Sequence, residues 1–197
     1  VGIAEEVLQR PGDLLVRVDL ARLEALQEVF HREIEVHDLV RFEEERQLLK
    51  DVLAPWLAGP IEHVGSTAVP GLCAKPVIDI MAPVSTLEGS RPALEAAATL
   101  GYVYFPYRPT VMHWFCKPSP AVRTHHLHLV PLRSPLWLDR LAFRDYLRQE
   151  PKVAETYARL KTDLARQYRH DREAYTEAKG PFVAQVLAAT HLRVPRH

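Results

Sequence analysis

The chain has 197 residues, 47% of them hydrophobic and 25% charged, which are the proportions of an ordinary globular domain. Its 25 basic and 25 acidic side chains give a formal net charge of zero, which excludes a uniformly basic nucleic-acid-binding chain and an acidic tail. No apolar run is as long as a membrane span, the first residues lack the pattern of a signal peptide, and Cys73 and Cys116 are too few for a disulfide framework. We therefore expect a cytoplasmic protein that binds neither a membrane nor a nucleic acid.

Residues 1–57 form the first predicted segment, which is charged and helical. Apolar side chains recur every three or four residues, Asp19 is placed to cap the first helix, and Trp56 and Pro60 end the last one. The repeating apolar positions are Leu20, Leu23, Leu26 and Phe30, followed by Leu48, Leu49, Val52 and Leu53.

Residues 58–133 predict a small mixed sheet. A short strand over residues 61–66 leads into a Gly-Ser turn, and a β-branched strand follows between Pro76 and Pro83. An Ala-rich helix then ends at Gly101. Three further strands are predicted over residues 102–107, 111–117 and 124–130.

Residues 134–197 predict helices that pack on the same domain. Ser134 and Pro135 are a typical N-cap and first helical residue, Pro151 interrupts that helix before a second one, and Asp171 caps a third. The predicted fold class is therefore α+β, a single domain with a small mixed β-sheet flanked by N-terminal and C-terminal helices.

The segment from residue 63 to residue 80 suggests a phosphate site. A strand ends at Gly65 and Ser66, and the next strand presents Asp79. Backbone N–H groups and a hydroxyl after a glycine can hold phosphate oxygens, and a nearby carboxylate can hold the divalent cation that phosphates bring. The segment is not a P-loop, because Gly65 and Gly71 are six residues apart and Leu72 stands where the lysine belongs. A turn without a ligand is the alternative interpretation.

Histidines cluster on the last predicted strand. His126 and His128 lie two residues apart and share a face, whereas His125 shares the opposite face with leucines. Two imidazoles so spaced can bind one metal ion or clamp a phosphate, and imidazole ligands favour Zn or Mn over Mg. A buried hydrogen-bond network is the alternative. His63 precedes Gly65 and is a further candidate for the same cleft.

Three basic residues are candidates to neutralise phosphate charge: Lys75, Lys117 and Arg123. Arg123 is best suited to bidentate hydrogen bonding with a phosphate. Each is otherwise an ordinary surface charge. Cys73 and Cys116 have no Cys-x-x-Cys partner and are expected to act as small buried hydrophobic residues.

The stretch IEHVGSTAVPGLCAKPVIDIM, residues 61–81, resembles the signature of the GrpB-like family, formerly an uncharacterised protein family. The stretches GYVYFPY, RTHHLHLV, LAFRDYLR and REAYTEAKGPFV match it as well, so the resemblance covers about residues 40–190. It implies the fold of the polymerase-beta-like nucleotidyltransferases, in which Gly65, Ser66 and Thr67 would grip a triphosphate. It also implies that Tyr175, Glu177 and Lys179 either reach the cleft or fix the helices to the sheet, and we favour the second role.

The sequence departs from the nucleotidyltransferase pattern at its acidic residues. That superfamily binds two metal ions with a D-x-D pair and a third acid on a later strand. Here Met81 replaces the second acid, and His126 and His128 lie where the third acid is expected. The resemblance therefore implies that Asp79, His126 and His128 form the catalytic and metal-binding set, with Mg, Mn or Zn as the cofactor.

Three functions follow from this pattern. The favoured hypothesis is a metal-dependent nucleotidyltransferase that acts on a nucleoside triphosphate and an unknown acceptor. The others are a non-catalytic protein that binds a nucleotide or another phosphorylated small molecule, and a hydrolase with a His/Asp metal site. Members of the family also occur joined to dephospho-CoA kinase, which implies a link to coenzyme A metabolism, although this sequence contains no kinase P-loop.

Overall fold

A computed structural model describes the backbone of residues 20–72 and 75–193, and side chains from residue 37 to residue 190 apart from 73, 74 and 172. The Asp19 cap and Cys73 lie outside the described residues. Within them, no helix is both long enough and apolar enough to cross a membrane.

Five strands form one mixed sheet in the spatial order β1-β2-β5-β4-β3. β2 and β5 are parallel neighbours, and every other neighbouring pair is antiparallel. The strands are β1 (Glu62–Val64), β2 (Ile78–Val84), β3 (Val103–Phe105), β4 (His113–Pro118) and β5 (Arg123–Pro131). The sequence predicted all five strands, with β1 and β3 shorter than their apolar runs.

Helices from the N-terminal and the C-terminal parts of the chain flank the sheet. They are α1 (Leu20–Leu53), α2 (Ala93–Ala98), α3 (Pro135–Gln149), α4 (Pro151–Gln167), α5 (Arg172–Ala178) and α6 (Gly180–Arg193), with 3-10 turns at Ala54–Trp56 and Ser66–Ala68. The predicted caps are confirmed: Ser134 accepts a hydrogen bond from the backbone N–H of Trp137, and Asp171 accepts one from Ala174. A separate helix, α6, begins at Gly180, two residues after α5 ends.

The sheet face toward α1 and α2 carries the main core. Alternate strand residues such as Ile80, Phe115 and Leu127 are fully buried there, against Leu49 and Leu53 of α1. Burial of a side chain of this size stabilises the fold by about 2 kcal/mol. The described backbone of the N-terminal segment is one 34-residue helix rather than a series of shorter helices, and Phe42, Leu49 and Leu53 in its C-terminal half belong to this core.

The opposite face is apolar only in part. Met81, Cys116 and Val130 pack there against Trp137 of α3, and Cys116 is buried as predicted. A third cluster, which includes Val69 and Tyr157, joins the turn after β1 to α3 and α4. The polar beginnings of β2 and β5 are left between these clusters, and this is where the candidate site lies.

Candidate functional site

A cleft of about 1130 Å³ lies between the sheet and the C-terminal helices. Five of its lining residues come from the Gly-Ser turn and the strand ends, all predicted from the sequence: Ser66, Thr67, Lys75, Asp79 and Arg123. His126, also predicted, completes this wall. The opposite wall comes from α4, α5 and the residue after α5, which contribute tyrosine, lysine and arginine side chains.

Gly65 brings the end of β1 close to Asp79. Its backbone has φ +76° and ψ −168°, a conformation that is essentially restricted to glycine. A Cβ atom at this position would lie 2.5 Å from Oδ2 of Asp79. The predicted Gly-Ser turn therefore places its backbone directly against the carboxylate on the neighbouring strand.

Both hydroxyl groups after Gly65 already have partners. Lys161 on α4 donates a hydrogen bond from its ammonium to Oγ of Ser66, over 2.9 Å. Oγ1 of Thr67 donates to the carbonyl of Val77 and lies 3.0 Å from Nε2 of His63. The turn is thus held on one side by β1 and β2 and on the other by a cation from α4.

Asp79 and His126 form a hydrogen-bonded pair across β2 and β5. They are register partners, and Nδ1 of His126 lies 2.9 Å from Oδ1 of Asp79, so Nδ1 carries the proton and donates it. Burial alone would raise the pKa of Asp79, but the contacts with His126 and His128 lower it well below its ordinary range. Nε2 of His126 is buried and has no hydrogen-bond partner among the described residues.

His128 belongs to the protein interior rather than to the cleft wall. It is 3% exposed, and its neighbours are Sδ of Met112 at 3.4 Å and the guanidinium of Arg140 at 3.5 Å. Desolvation and the charge of Arg140 lower the pKa of His128 to about 4, so it is neutral at physiological pH. Its Nε2 lies 3.7 Å from Oδ1 of Asp79.

These three residues share a face, as predicted, but they do not fit a resident metal ion. Nδ1 of His126 is used on Asp79, and a guanidinium rather than an open position faces Nε2 of His128. In the part of the chain that the structure describes, no group of three His, Cys, Asp or Glu residues is arranged to hold a metal. Glu62 does not add a carboxylate, because it is paired with Arg144 over 2.7 Å.

The charge of the cleft is strongly positive. Among its described lining residues Asp79 is the one carboxylate, whereas six side chains are cationic. They are Lys75, Arg123, Lys161, Arg166, Arg169 and Lys179. Clefts lined by one sign of charge concentrate ligands of the opposite sign.

Besides His128, two residues predicted for the cleft lie elsewhere. Lys117 points to the α1 face, where its ammonium bonds both carboxylate oxygens of Glu45 at 2.9 and 3.0 Å. It pairs in register with His125 and therefore shares that residue's face. His63 is stacked on Phe42 of α1 with 4.5 Å between ring centroids, so its ring lies on the same side of the sheet.

The cations on α4 and in the turn after it were not predicted. Tyr157, Lys161 and Ala165 recur every four residues on α4 and line the cleft, and Arg169 continues that spacing just beyond the helix end, so a helical basic face was the available signal. Tyr175 and Lys179, for which packing was the favoured of two predicted roles and reaching the cleft the other, both line the cleft, with the Lys179 ammonium 4.2 Å from the Tyr175 ring centroid.

Comparison with known proteins identifies the family. A family model described as GrpB protein matches residues 37–189, which include the whole sheet and most of the helical wall of the cleft. The chain belongs to the GrpB family. The matched region contains the cleft and excludes the N-terminal part of α1.

Several relatives agree with this family. A UPF0157 protein of Pseudomonas aeruginosa is 42% identical over 162 residues, and the match covers 79% of this chain and 64% of that protein. The glutamate-rich protein GrpB of Alkalihalophilus pseudofirmus is 32% identical over 151 residues, with 74% and 86% covered. The crystal structure of the conserved protein GrpB from Enterococcus faecalis matches with a TM-score of 0.69 and 33% identity, covering 78% of this chain and 92% of that one. The mixed sheet with flanking helices is thus the fold of a solved GrpB protein.

Proposed function

We propose that this GrpB protein has a nucleotidyltransferase-like fold and binds the phosphate groups of a nucleoside triphosphate, or of another phosphorylated small molecule, in the cleft. The observation that carries the proposal is the charge of the lining: the described residues around a volume of about 1130 Å³ include six cationic side chains and one carboxylate. A triphosphate carries several negative charges in a short chain, which matches cations placed on both walls.

The hydrogen bond between Lys161 and Ser66 marks where the phosphate chain enters. This bond joins the two walls, so an anion bound beside it can accept hydrogen bonds from the α4 ammonium and from the Ser66 hydroxyl. Arg123, Arg166 and Arg169 are lining residues whose guanidinium groups can each donate two parallel hydrogen bonds to one phosphate. The grip therefore uses both the predicted turn and the cations of the C-terminal helices.

Thermal unfolding with ligand tests this binding. A triphosphate present at 100 times its Kd should stabilise the fold by about 2.7 kcal/mol, which for a chain of this size raises the Tm by roughly 5–10 °C. Lys161→Glu and Arg166→Glu should each remove most of the shift. Arg159→Glu is the matched control, because Arg159 lies on the same helix, pairs with Glu155 and does not line the cleft.

The binding proposal fails on either of two results. One is the absence of a shift with all four common ribonucleoside triphosphates and with inorganic tripolyphosphate. The other is a shift that Lys161→Glu and Arg159→Glu reduce equally, because that would place the anion on general surface charge. Arg166 is exposed, so Arg166→Glu leaves a folded protein even if Lys161→Glu does not.

Nucleotidyl transfer is the second candidate, and one observation favours it: Asp79 lies near the start of β2 beside the Gly-Ser turn, where that chemistry uses an acid. Release of pyrophosphate from a nucleoside triphosphate supplied with Mg²⁺ or Mn²⁺ would be its signature. Asp79→Asn should then abolish release while the Tm shift with tripolyphosphate persists. Turnover that survives Asp79→Asn unchanged would exclude Asp79 as its catalytic group.

A further inference from the structure

Aromatic rings line the sheet face beside the cleft, at the edge formed by β3. Phe105 and Tyr107 are 51% and 54% exposed, and both make edge-to-face contacts with Trp114 of β4, at 6.1 and 6.4 Å between centroids. Trp114 itself is 8% exposed. These three residues, here called the aromatic edge, leave two large ring surfaces in contact with solvent.

The aromatic edge contacts two residues that line the cleft. The ring of Trp114 lies 5.1 Å from the ring of His126, which lines the cleft. The guanidinium carbon of Arg123, another lining residue, lies 5.3 Å from the centroid of the same Trp114 ring. His126 and Arg123 therefore contact the aromatic edge and line the phosphate cleft as well.

Strand register sets the distance between the cleft and the aromatic edge. Asp79 and His126 are partners across β2 and β5, Trp114 pairs with His128 across β5 and β4, and Phe105 pairs with Trp114 across β4 and β3. Neighbouring strands lie about 4.8 Å apart, so β3 is about 10 Å from β5. A ribose and one phosphate group span a distance of this order.

We infer that the aromatic edge binds the planar heteroaromatic base of the ligand whose phosphates occupy the cleft, with Phe105 and Tyr107 as the stacking side chains. The inference rests on the proposed function. Every nucleobase presents a π-face, and stacking on an aromatic side chain tolerates any base. Arg123 joins the two parts of the site, because it lies over Trp114 and faces the phosphates. The ligand class is thus narrowed from phosphorylated small molecules to nucleotides.

Affinities of two ligands separate this inference from the proposed function. Calorimetric titration gives the Kd of ATP and of inorganic tripolyphosphate for the wild type and for each variant. Phe105→Ala and Tyr107→Ala should each weaken ATP roughly 10-fold and leave tripolyphosphate unchanged, since only the base contacts these rings. Phe105→Trp should retain the affinity for ATP. Leu138→Ala is the control, because Leu138 on α3 is similarly exposed, at 53%.

Each failure has its own signature. If neither ligand binds the wild type, the proposed function fails. If both bind but Phe105→Ala and Tyr107→Ala leave ATP unaffected, or weaken both ligands equally, the base site is overturned. A change in oligomeric state in Phe105→Ala without a change in ATP affinity also overturns it, and assigns the aromatic edge to contact with a second copy of the chain.

Discussion

Gly65→Ala tests the geometry on which the candidate site depends. The substitution adds one methyl group at a backbone position with φ +76° and ψ −168°. We expect it to destabilise the fold and to displace Asp79, because the new Cβ would lie 2.5 Å from Oδ2 and 3.0 Å from Cβ of that residue. The side chain of Asp79 is short, so its carboxylate can move away from the new Cβ only by breaking its hydrogen bond with His126.

Two costs add in this variant. A non-glycine residue in this backbone region is strained by about 1–3 kcal/mol. Displacing Asp79 breaks its hydrogen bond with His126, and a hydrogen bond to a charged group contributes about 1.5–3 kcal/mol. The free energy of unfolding should therefore fall by about 4 kcal/mol, which lowers the Tm by roughly 10 °C in a chain of this length.

Gly71→Ala is the matched control for the strain alone. Gly71 has φ +73°, but an added Cβ meets no atom within 4 Å. Its cost should be about 1 kcal/mol. Urea unfolding of both variants measures the difference, and the wild-type m-value shows whether each unfolds as one unit. Equal losses in the two variants would refute the contact between Gly65 and Asp79.

Three further outcomes are expected. Burial lowers the pKa of His63, His125 and His128 to about 4 from an ordinary 6.5. The free energy of unfolding should therefore have its maximum value above pH 6.5 and fall as the pH drops toward 4, because the unfolded chain binds protons that the folded protein does not. The loss should reach up to about 3 kcal/mol for each histidine. Urea titrations at pH 7, 5.5 and 4.5 measure this slope, which His128→Gln should flatten; an unchanged slope would contradict the buried neutral imidazole. Arg144→Met should lower the free energy of unfolding by about 3 kcal/mol, because the buried guanidinium joins α3 to β1 by an ion pair and a backbone hydrogen bond. A loss below about 1 kcal/mol in urea unfolding would contradict that role. Met81→Asp should leave the protein unfolded rather than supply a second metal ligand, because Met81 is fully buried in an apolar cluster. A thermal scan should then show no unfolding transition. A folded variant with new metal affinity would be the contrary result.

Strand alternation alone placed the central side chains correctly. A period of two residues put Asp79 and Met81 on one face of β2, and put His126 and His128 on one face of β5. These two strands are parallel partners in the sheet, which brings the two faces together. Local chemistry decided the helix starts in the same way, since the Ser134 and Asp171 caps depend on residues only three positions apart.

Placement of Lys117 needed information that alternation does not contain. β4 is buried on both faces, so its side chains do not show from the sequence which face meets which helix. The face is set by pairing Lys117 with His125, a contact between strands, and by the Glu45 carboxylate that α1 brings to that face from 72 residues away. Neither can be obtained from a single strand's pattern.

The helical wall of the cleft was missed for a similar reason. The four-residue spacing of Tyr157, Lys161 and Ala165 shows that these side chains share a stripe of α4, but not what that stripe faces. Packing of Tyr157 and Leu164 into the interior fixes the rotation of α4. Lys161 is thereby directed to Ser66, 95 residues earlier in the chain.

Asp79, the one carboxylate among the described lining residues of a basic cleft, is explained by its partners. An ionised Asp79 would repel phosphate if its charge faced the ligand alone, but its Oδ1 accepts a hydrogen bond from Nδ1–H of His126, and Arg140 lies behind His128. The hydrogen bond also fixes the tautomer of His126, whose ring contacts Trp114 on its other side. Charge therefore decreases along one sheet face, from the cations around Ser66 to the uncharged rings of the aromatic edge. That gradient is complementary to a molecule with phosphates at one end and a base at the other, and it requires Asp79 to orient His126 whether or not the carboxylate takes part in catalysis.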